Sequence, residues 1–308
     1  MERLTPQDFA RSFGCAEEDF SKECLDLIAK KDFRFQRVQG LQRDAIILEV
    51  LQRIDSDTQK IGAQERREVW FRGWEENLKA FVGSGYDVAA LTPKFLREKQ
   101  PVRFAGDYIV PHNPAFELDF ITVFRTWLYQ QYFQGFPSVY EFGCGTGFNL
   151  LLLGKMLQPE KMYGLDFVQS SVDLVNKIGE AFDLPLEGRA FDMIHPDHDF
   201  KLKPGSLMFT FGALEQLAGK FHDFIHYILD NRPDLCIHIE PTVELYDETK
   251  LFDYLAIKFH RKRGYTTGLL PYLQKLAQKQ KIKLLKVKRL GFGSLFMEGY
   301  TYMIWQPV

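Results

Sequence analysis

One short segment, Glu141-Phe142-Gly143-Cys144-Gly145-Thr146-Gly147, constrains this chain more than any other. It leaves a short strand-like run at 138–142 and precedes a helical pattern, so it is a glycine-rich turn from strand to helix. Glycine lets a backbone turn sharply and lets a ligand approach within contact distance, because no Cβ intervenes. In a doubly wound α/β fold, the turn after the first strand is where a nucleotide-like ligand is seated. The spacing excludes two common uses. A dinucleotide fingerprint needs Gly-x-Gly-x-x-Gly with pyrophosphate on the helix N-terminus. Here the glycines fall at 143, 145 and 147, and position 148 is Phe. A P-loop ends in Gly-Lys-Ser/Thr, and that ending is missing.

From Ser138 onward strand and helix patterns alternate. Strands are expected at 138–142, 161–166, 186–191, 206–211 and 235–240, with two more closing the chain at 282–290 and 300–306. Between them, helical spacing joins Val172, Val175, Ile178 and Phe182, and then Leu214, Leu217, Phe221, Phe224, Ile225 and Ile228. Alternation of this kind implies a doubly wound, seven-stranded, mostly parallel sheet with helices on both faces. The last two strands are joined by a short loop, which permits an antiparallel pair and not a parallel crossover. The last strand is therefore antiparallel.

The preceding part, residues 1–114, reads as a helical lid or substrate region without strand alternation. Ile47, Val50, Leu51 and Ile54 recur at helical spacing, as do Trp70, Trp74, Leu78 and Phe81. Pro93, Pro101, Pro111 and Pro114 are too closely spaced for a long helix, so 91–114 is expected to be a connector across the surface. Residues 115–308 form the second unit, opening with a helix that carries Phe120, Val123, Phe124, Trp127 and Leu128. A net charge of −2 argues against a whole-protein grip on nucleic acid. The four cysteines make no CxxC pair, the first residues carry no secretory apolar run, and no stretch is long and apolar enough for a bilayer. A cytoplasmic protein with no nucleic-acid or membrane partner is expected; the sequence leaves the oligomeric state open.

Glu-x-Gly-x-Gly-x-Gly after a first strand resembles the nucleoside-binding loop of class I S-adenosylmethionine-dependent methyltransferases. Tyr163-Gly164-Leu165-Asp166 supplies the acid that ends the second strand, nineteen residues after Gly147. A carboxylate there can accept both ribose hydroxyls. The resemblance covers roughly 138–308 and implies S-adenosylmethionine as cofactor. It places Gly143, Cys144, Gly145 and Gly147 against the cofactor and Phe167 over the adenine. Asp192 and Met193 fall at the adenine amino group and ring, and Glu141 at the methionine end. Phe211 and Gly212 fall beneath the methyl-bearing sulfur.

The methyl acceptor is less legible. The Asp/Asn-Pro-Pro-aromatic motif of base methylation is replaced by Gly212-Ala213-Leu214-Glu215. Glu215 and Glu240 follow the fourth and fifth strands, where related enzymes hold magnesium, but no third oxygen ligand is evident and no metal is expected. His195-Pro196-Asp197-His198 reads as a solvated loop before it reads as a metal cluster. Ligands bind beyond the carboxyl ends of parallel strands. That rim gathers Glu240, His238 and Glu215 as catalytic candidates, with Tyr265, Phe292 and Phe296 as substrate contacts. Two readings stay open for Glu240, a proton acceptor or a helix-capping acid, and two for His238, a general base or a buried hydrogen-bonded histidine. Tyr108, His112 and Asn113 are candidates to fold over the cofactor. The expected activity is methyl transfer to oxygen or nitrogen of a small polar molecule, a sugar or natural-product intermediate. The alternatives are a protein or RNA methyltransferase docking through its N-terminal helices, and an inactive cofactor-binding interaction protein.

Overall fold

The computed structural model describes the backbone of residues 1–61 and 65–308, and the side chains of 1–61 and 68–308. The N-terminal part runs β1 (Glu2–Arg3), α1 (Pro6–Phe13), α2 (Lys22–Lys30), β2 (Arg34–Arg37), α3 (Gly40–Ser56), α4 (Glu65–Gly83), β3 (Val102–Phe104) and β4 (Asp107–Pro111). Helix α5 (Phe116–Tyr132) leads into β5 (Ser138–Phe142), α6 (Phe148–Leu157), β6 (Lys161–Asp166), α7 (Gln169–Phe182), β7 (Leu186–Ala190) and β8 (Ser206–Phe211). Then come α8 (His222–Asn231), β9 (Leu235–Glu240), α9 (Leu251–Arg263), α10 (Leu269–Gln278), β10 (Ile282–Lys288), β11 (Phe292–Gly293) and β12 (Thr301–Pro307).

The main sheet has the order β10-β12-β9-β8-β5-β6-β7. Pairs β9·β8, β8·β5, β5·β6 and β6·β7 are parallel, whereas β12 is antiparallel to both neighbours. Sequence alternation and the short last connection thus give the expected seven strands. Side chains alternate between faces along each strand. Val139, Leu207, Phe209, Ile237 and Ile239 face one core with α5, α6 and α7, while Tyr140, Phe142, Met208, Cys236 and Trp305 face the other with α8 and α10. No helix among the described residues is long and apolar enough to cross a membrane.

The structure departs from the sequence expectation in three places. The N-terminal part is not purely helical: β1, β2, β4, β3 and β11 form a second, antiparallel sheet. Its strands have two to five residues and, apart from the local β3–β4 pair, join partners remote in sequence, so no alternation announces them. Nor is 91–114 a surface connector. Prolines there bound a β-hairpin, and Val102, Phe104, Tyr108 and Ile109 are buried. The apolar pattern from Leu214 to Ile228 is broken as well. Ala218 and Gly219 take positive φ of 51° and 81°, which ends a 3-10 turn at Leu214–Leu217 before α8 starts.

The two sheets share one hydrophobic interior. The Phe120 ring on α5 stacks on Phe292 of β11 with centroids 3.6 Å apart, and both are fully buried. Phe292 also stacks on Tyr300, at the entry to β12. Phe120→Ala removes the ring that joins both layers. It is expected to cost about 3–5 kcal/mol, the usual range for a buried Phe cut to Ala, in one cooperative denaturant transition. Two separate transitions, or a loss below about 1 kcal/mol, would show that the sheets are not coupled through this stack.

Candidate active site

The glycine loop is tied to the end of β6. Gly143 and Cys144 N–H groups both donate to the Leu165 carbonyl, at 2.7 and 3.1 Å. Gly145 N–H donates to Asp166 Oδ2 at 2.9 Å, and Val168 N–H to Asp166 Oδ1 at 3.1 Å. Gly143, Gly145 and Gly147 have φ of 73°, 53° and 70°, the left-handed region that favours glycine. A Cβ on Gly143 would collide with the Ala213 Cβ, and one on Gly145 would lie 3.1 Å from the Trp74 indole. The loop is therefore a cradle between β6, the turn after β8, and α4.

Helix α4 covers this cradle. Trp74 lies on Gly145 and stacks on Trp70, Ser170 Oγ donates to the Phe71 carbonyl, and Thr146 Oγ1 donates to the Leu91 carbonyl. Asp166 is only 5% exposed beneath it. Beside the cradle, Phe167 is exposed and lines a cavity of about 570 Å³ with Glu68, Phe71, Arg72 and Glu75 of α4. Asp192 Oδ1 accepts from Ile194 N–H, and the Met193 methyl approaches Gly143. Phe211 and Gly212 leave β8, with Gly212 N–H bonded to the Ile239 carbonyl and the Phe211 ring 5.9 Å from Tyr300. The structure gathers Glu141, Gly143, Cys144, Gly145, Gly147, Asp166, Phe167, Met193, Phe211 and Gly212 around the tips of β5, β6 and β8.

Glu141 points to the α5 side of the sheet. Its Oε1 accepts from Asn149 Nδ2 at 2.7 Å, and Arg125 Nη1 donates to Asn149 Oδ1 at 3.0 Å, so Asn149 bridges acid and base. The Arg125 guanidinium lies 3.8 Å from the Phe148 ring centroid. Three fully buried atoms in this cluster have no partner: Glu141 Oε2, Arg125 Nε and the Tyr129 hydroxyl. Such atoms cost free energy unless a ligand or water completes them. Nearby, the Tyr300 hydroxyl donates to Glu117 Oε1 at 3.0 Å, and Gln100 Nε2 to Glu117 Oε2 at 3.4 Å. Arg125 and Glu215 both act electrostatically on Tyr300. Sequence reasoning missed Glu117, Arg125, Tyr129 and Tyr300. Charged residues interrupting an apolar helical face, at 117 and 125, were the available signal.

The proposed acidic rim does not assemble as expected. Thr210, His238 and Glu240 point to the α8 and α10 face, opposite Glu141, because strand side chains alternate and the pairing aligns Thr210 with His238. Glu240 is a cap. Its Oε1 accepts the N–H groups of Ala213 and Leu214, both at 3.1 Å, and its Oε2 that of Glu215 at 3.2 Å. His238 is fully buried against Trp305, with Nδ1 3.0 Å from Thr210 Oγ1. Neither is available to an acceptor on the Glu141 side.

The expected substrate contacts lie in packed aromatic clusters. Phe292 is sealed inside the small sheet, as described. Phe296 stacks on Phe259 of α9, and Tyr265 packs on the same ring, in a cluster with Ile46, Ile47 and Val50 of α3. Tyr108 is buried against Phe252 and Arg103, His112 pairs with Asp32, and Asn113 donates to Asp119. What lies over the loop is α4 and Leu91.

No family model matches the sequence, and no curated protein matches it. Solved structures do resemble it. Geranyl diphosphate C-methyltransferase from Streptomyces coelicolor A3(2) has a TM-score of 0.47 and 13% identity, over 76% of this chain and 98% of that one. A SAM-dependent methyltransferase from Aquifex aeolicus has 0.40 and 16%, over 59% and 88%. The branched-chain polyamine synthase of Thermus thermophilus has 0.41 and 12%, over 61% and 56%. At these identities the likeness is one of backbone arrangement. With parallel strands around β5, an antiparallel β12 inserted beside β9, and the glycine loop after β5, the chain has the fold of class I S-adenosylmethionine-dependent methyltransferases.

Burial raises several carboxyls here: Glu141 to about 8, Glu117 and Glu240 to about 7, and Asp166 to about 6. Each binds its proton more tightly folded than unfolded. The stability they contribute is complete below the ordinary carboxyl range and is lost as pH rises through those values. His238 has the opposite sign. Burial lowers it from 6.5 to about 3, so acidification below 6.5 favours the unfolded chain. Above pH 6.5 the carboxyls act without that opposition. The melting temperature is expected to fall from pH 6.5 to 8, and Glu141→Gln to flatten the fall. A flat or rising melting temperature in wild type, by calorimetry, would contradict the raised values.

Proposed function

We propose that this protein binds S-adenosylmethionine along the glycine loop and the β6 tip, and methylates oxygen or nitrogen of a small polar molecule such as a sugar or natural-product intermediate. The observation that carries the reading is the set of orphaned buried atoms at the loop: Glu141 Oε2, Arg125 Nε and the Tyr129 hydroxyl. A carboxylate oxygen, a guanidinium N–H and a phenol suit a zwitterionic amino-acid group. Glu141 takes the ammonium end, and Arg125 with Tyr129 the carboxylate, with Asn149 holding acid and base in register. Asp166 takes the ribose hydroxyls. Each carboxylate oxygen has a second lone pair beyond the amide it already accepts. Phe167 and Met193 flank the adenine, Asp192 its amino group, and Phe211 and Gly212 the sulfur.

When bound, S-adenosylmethionine supplies an electrophilic methyl on a positively charged sulfur. The chain's own contribution is alignment, exclusion of water and control of one proton. Trp74 and α4 close over the loop, so the cofactor enters when α4 lifts and is sheltered when it returns. Glu117 and Tyr300 lie at least nine-tenths buried beneath α5 and the small sheet. An acceptor that reaches them is small; the body of a folded protein or RNA is too large.

Asp166→Asn keeps the size and removes the charge that strengthens the ribose hydrogen bonds. Bonds to a charged group contribute about 1.5–3 kcal/mol each, so affinity for S-adenosylhomocysteine should fall at least about tenfold. Calorimetric titration checks this. Unchanged affinity in a folded variant would remove Asp166 from the cofactor site.

A further inference from the structure

The Glu117–Tyr300–Gln100 group is built like a site and is not used by cofactor binding. Glu117 lies on α5, about two turns before Arg125 on the same helix, and is buried in an interior otherwise lined by Phe116, Phe120 and Phe292. A carboxyl in such surroundings is costly unless it serves a purpose or is fully paired. Its two hydrogen bonds come from residues far apart in sequence, Tyr300 before β12 and Gln100 before β3. Tyr300 in turn faces Phe211, which leaves the tip of β8. Resting on the cofactor reading above, we propose that Glu117 accepts the proton of the methyl acceptor, whose attacking atom is therefore a hydroxyl oxygen or the nitrogen of a neutral amine N–H reaching it beside Tyr300.

The step balances. The acceptor's lone pair forms the new bond to the methyl carbon as the carbon–sulfur bond breaks, the sulfur keeps that electron pair, and the acceptor's proton passes to the Glu117 carboxylate. Tyr300 and Gln100 are positioning residues, fixing the two oxygens of Glu117 through their hydrogen bonds. Burial holds Glu117 at about 7, where it exchanges a proton at neutral pH. The charged groups around the pair are Arg125 and Glu215, which act on Tyr300, and Glu141, which acts on Arg125. On α5 itself, Asp119 is already bonded to Lys31 and Asn113.

A test that needs no known acceptor uses the cofactor's charge. S-adenosylmethionine carries a sulfonium and S-adenosylhomocysteine a neutral thioether. If Glu117 faces that sulfur, the sulfonium favours its ionised form, and binding at pH 7 releases roughly half a proton more with the first than with the second. Titration calorimetry in two buffers of different ionisation enthalpy reads this difference. In Glu117→Gln the difference should vanish while S-adenosylhomocysteine affinity stays within about threefold of native. Tyr300→Phe, which removes a bond to the ionised carboxylate, should move the pH midpoint of the release upward and serves as the independent check. Equal proton release with both ligands in wild type, or a difference that survives Glu117→Gln, would overturn the role of Glu117 and leave cofactor binding standing. Failure of the wild-type chain to bind either ligand would instead overturn the cofactor reading, and this proposal with it.

Discussion

The pair of hydrogen bonds from Gly145 and Val168 to the buried Asp166 carboxylate fixes the rest of the site. Together with the Leu165 carbonyl, which accepts from Gly143 and Cys144, they fold the glycine loop back onto the end of β6. The Ser171 hydroxyl closes the same knot by donating to the Gly145 carbonyl. That geometry sets where α6 begins, and so where Asn149 stands to bridge Glu141 and Arg125. It also presents a flat glycine surface on which Trp74 can rest. A side chain on the loop would disturb the β8 turn, the cover of α4 and the ligand space at once.

Much of the α/β part was legible because its signals are local. Residues 138–142 and 235–240 are mostly apolar runs of strand length, Asp166 ends a strand, and the glycine spacing separates one ligand class from two others. The small sheet was not legible. Phe292–Gly293 pairs with Arg103–Phe104 across nearly two hundred residues, and two residues cannot show a period. Phe292 was placed at the rim because its loop returns there. The loop instead tucks its ring inside, against Phe120 and Tyr300, where burial of an aromatic ring outweighs exposure at a mouth.

The acidic residues show a second kind of limit. Glu240 was correctly placed at a strand tip, yet a strand tip has two faces, and one residue's shift in parity exchanges them. The register puts Glu240 with Thr210 and His238 opposite Glu141, where three backbone N–H groups of the turn after β8 need an acceptor. That turn is forced by Gly212 at positive φ, so its amides converge and a carboxylate fills them. Glu117 had the opposite fate. Not singled out in the sequence, it is buried because the small sheet covers the face of α5 that carries it.

The charges gathered on the α5 side explain why a cation suits this interior. Glu141, Glu117 and Asp166 are all buried and all raised, and Arg125 is the buried cation among the described residues that bridges to Glu141 through Asn149. Burial penalises each ionised carboxyl, and a positive group entering the same low-dielectric space offsets that penalty more strongly than it would in water. A sulfonium is such a group, and its conversion to a thioether removes the attraction at the moment the methyl leaves. On the proposed cofactor reading, the carboxyls that favour a sulfonium would hold the neutral thioether less tightly.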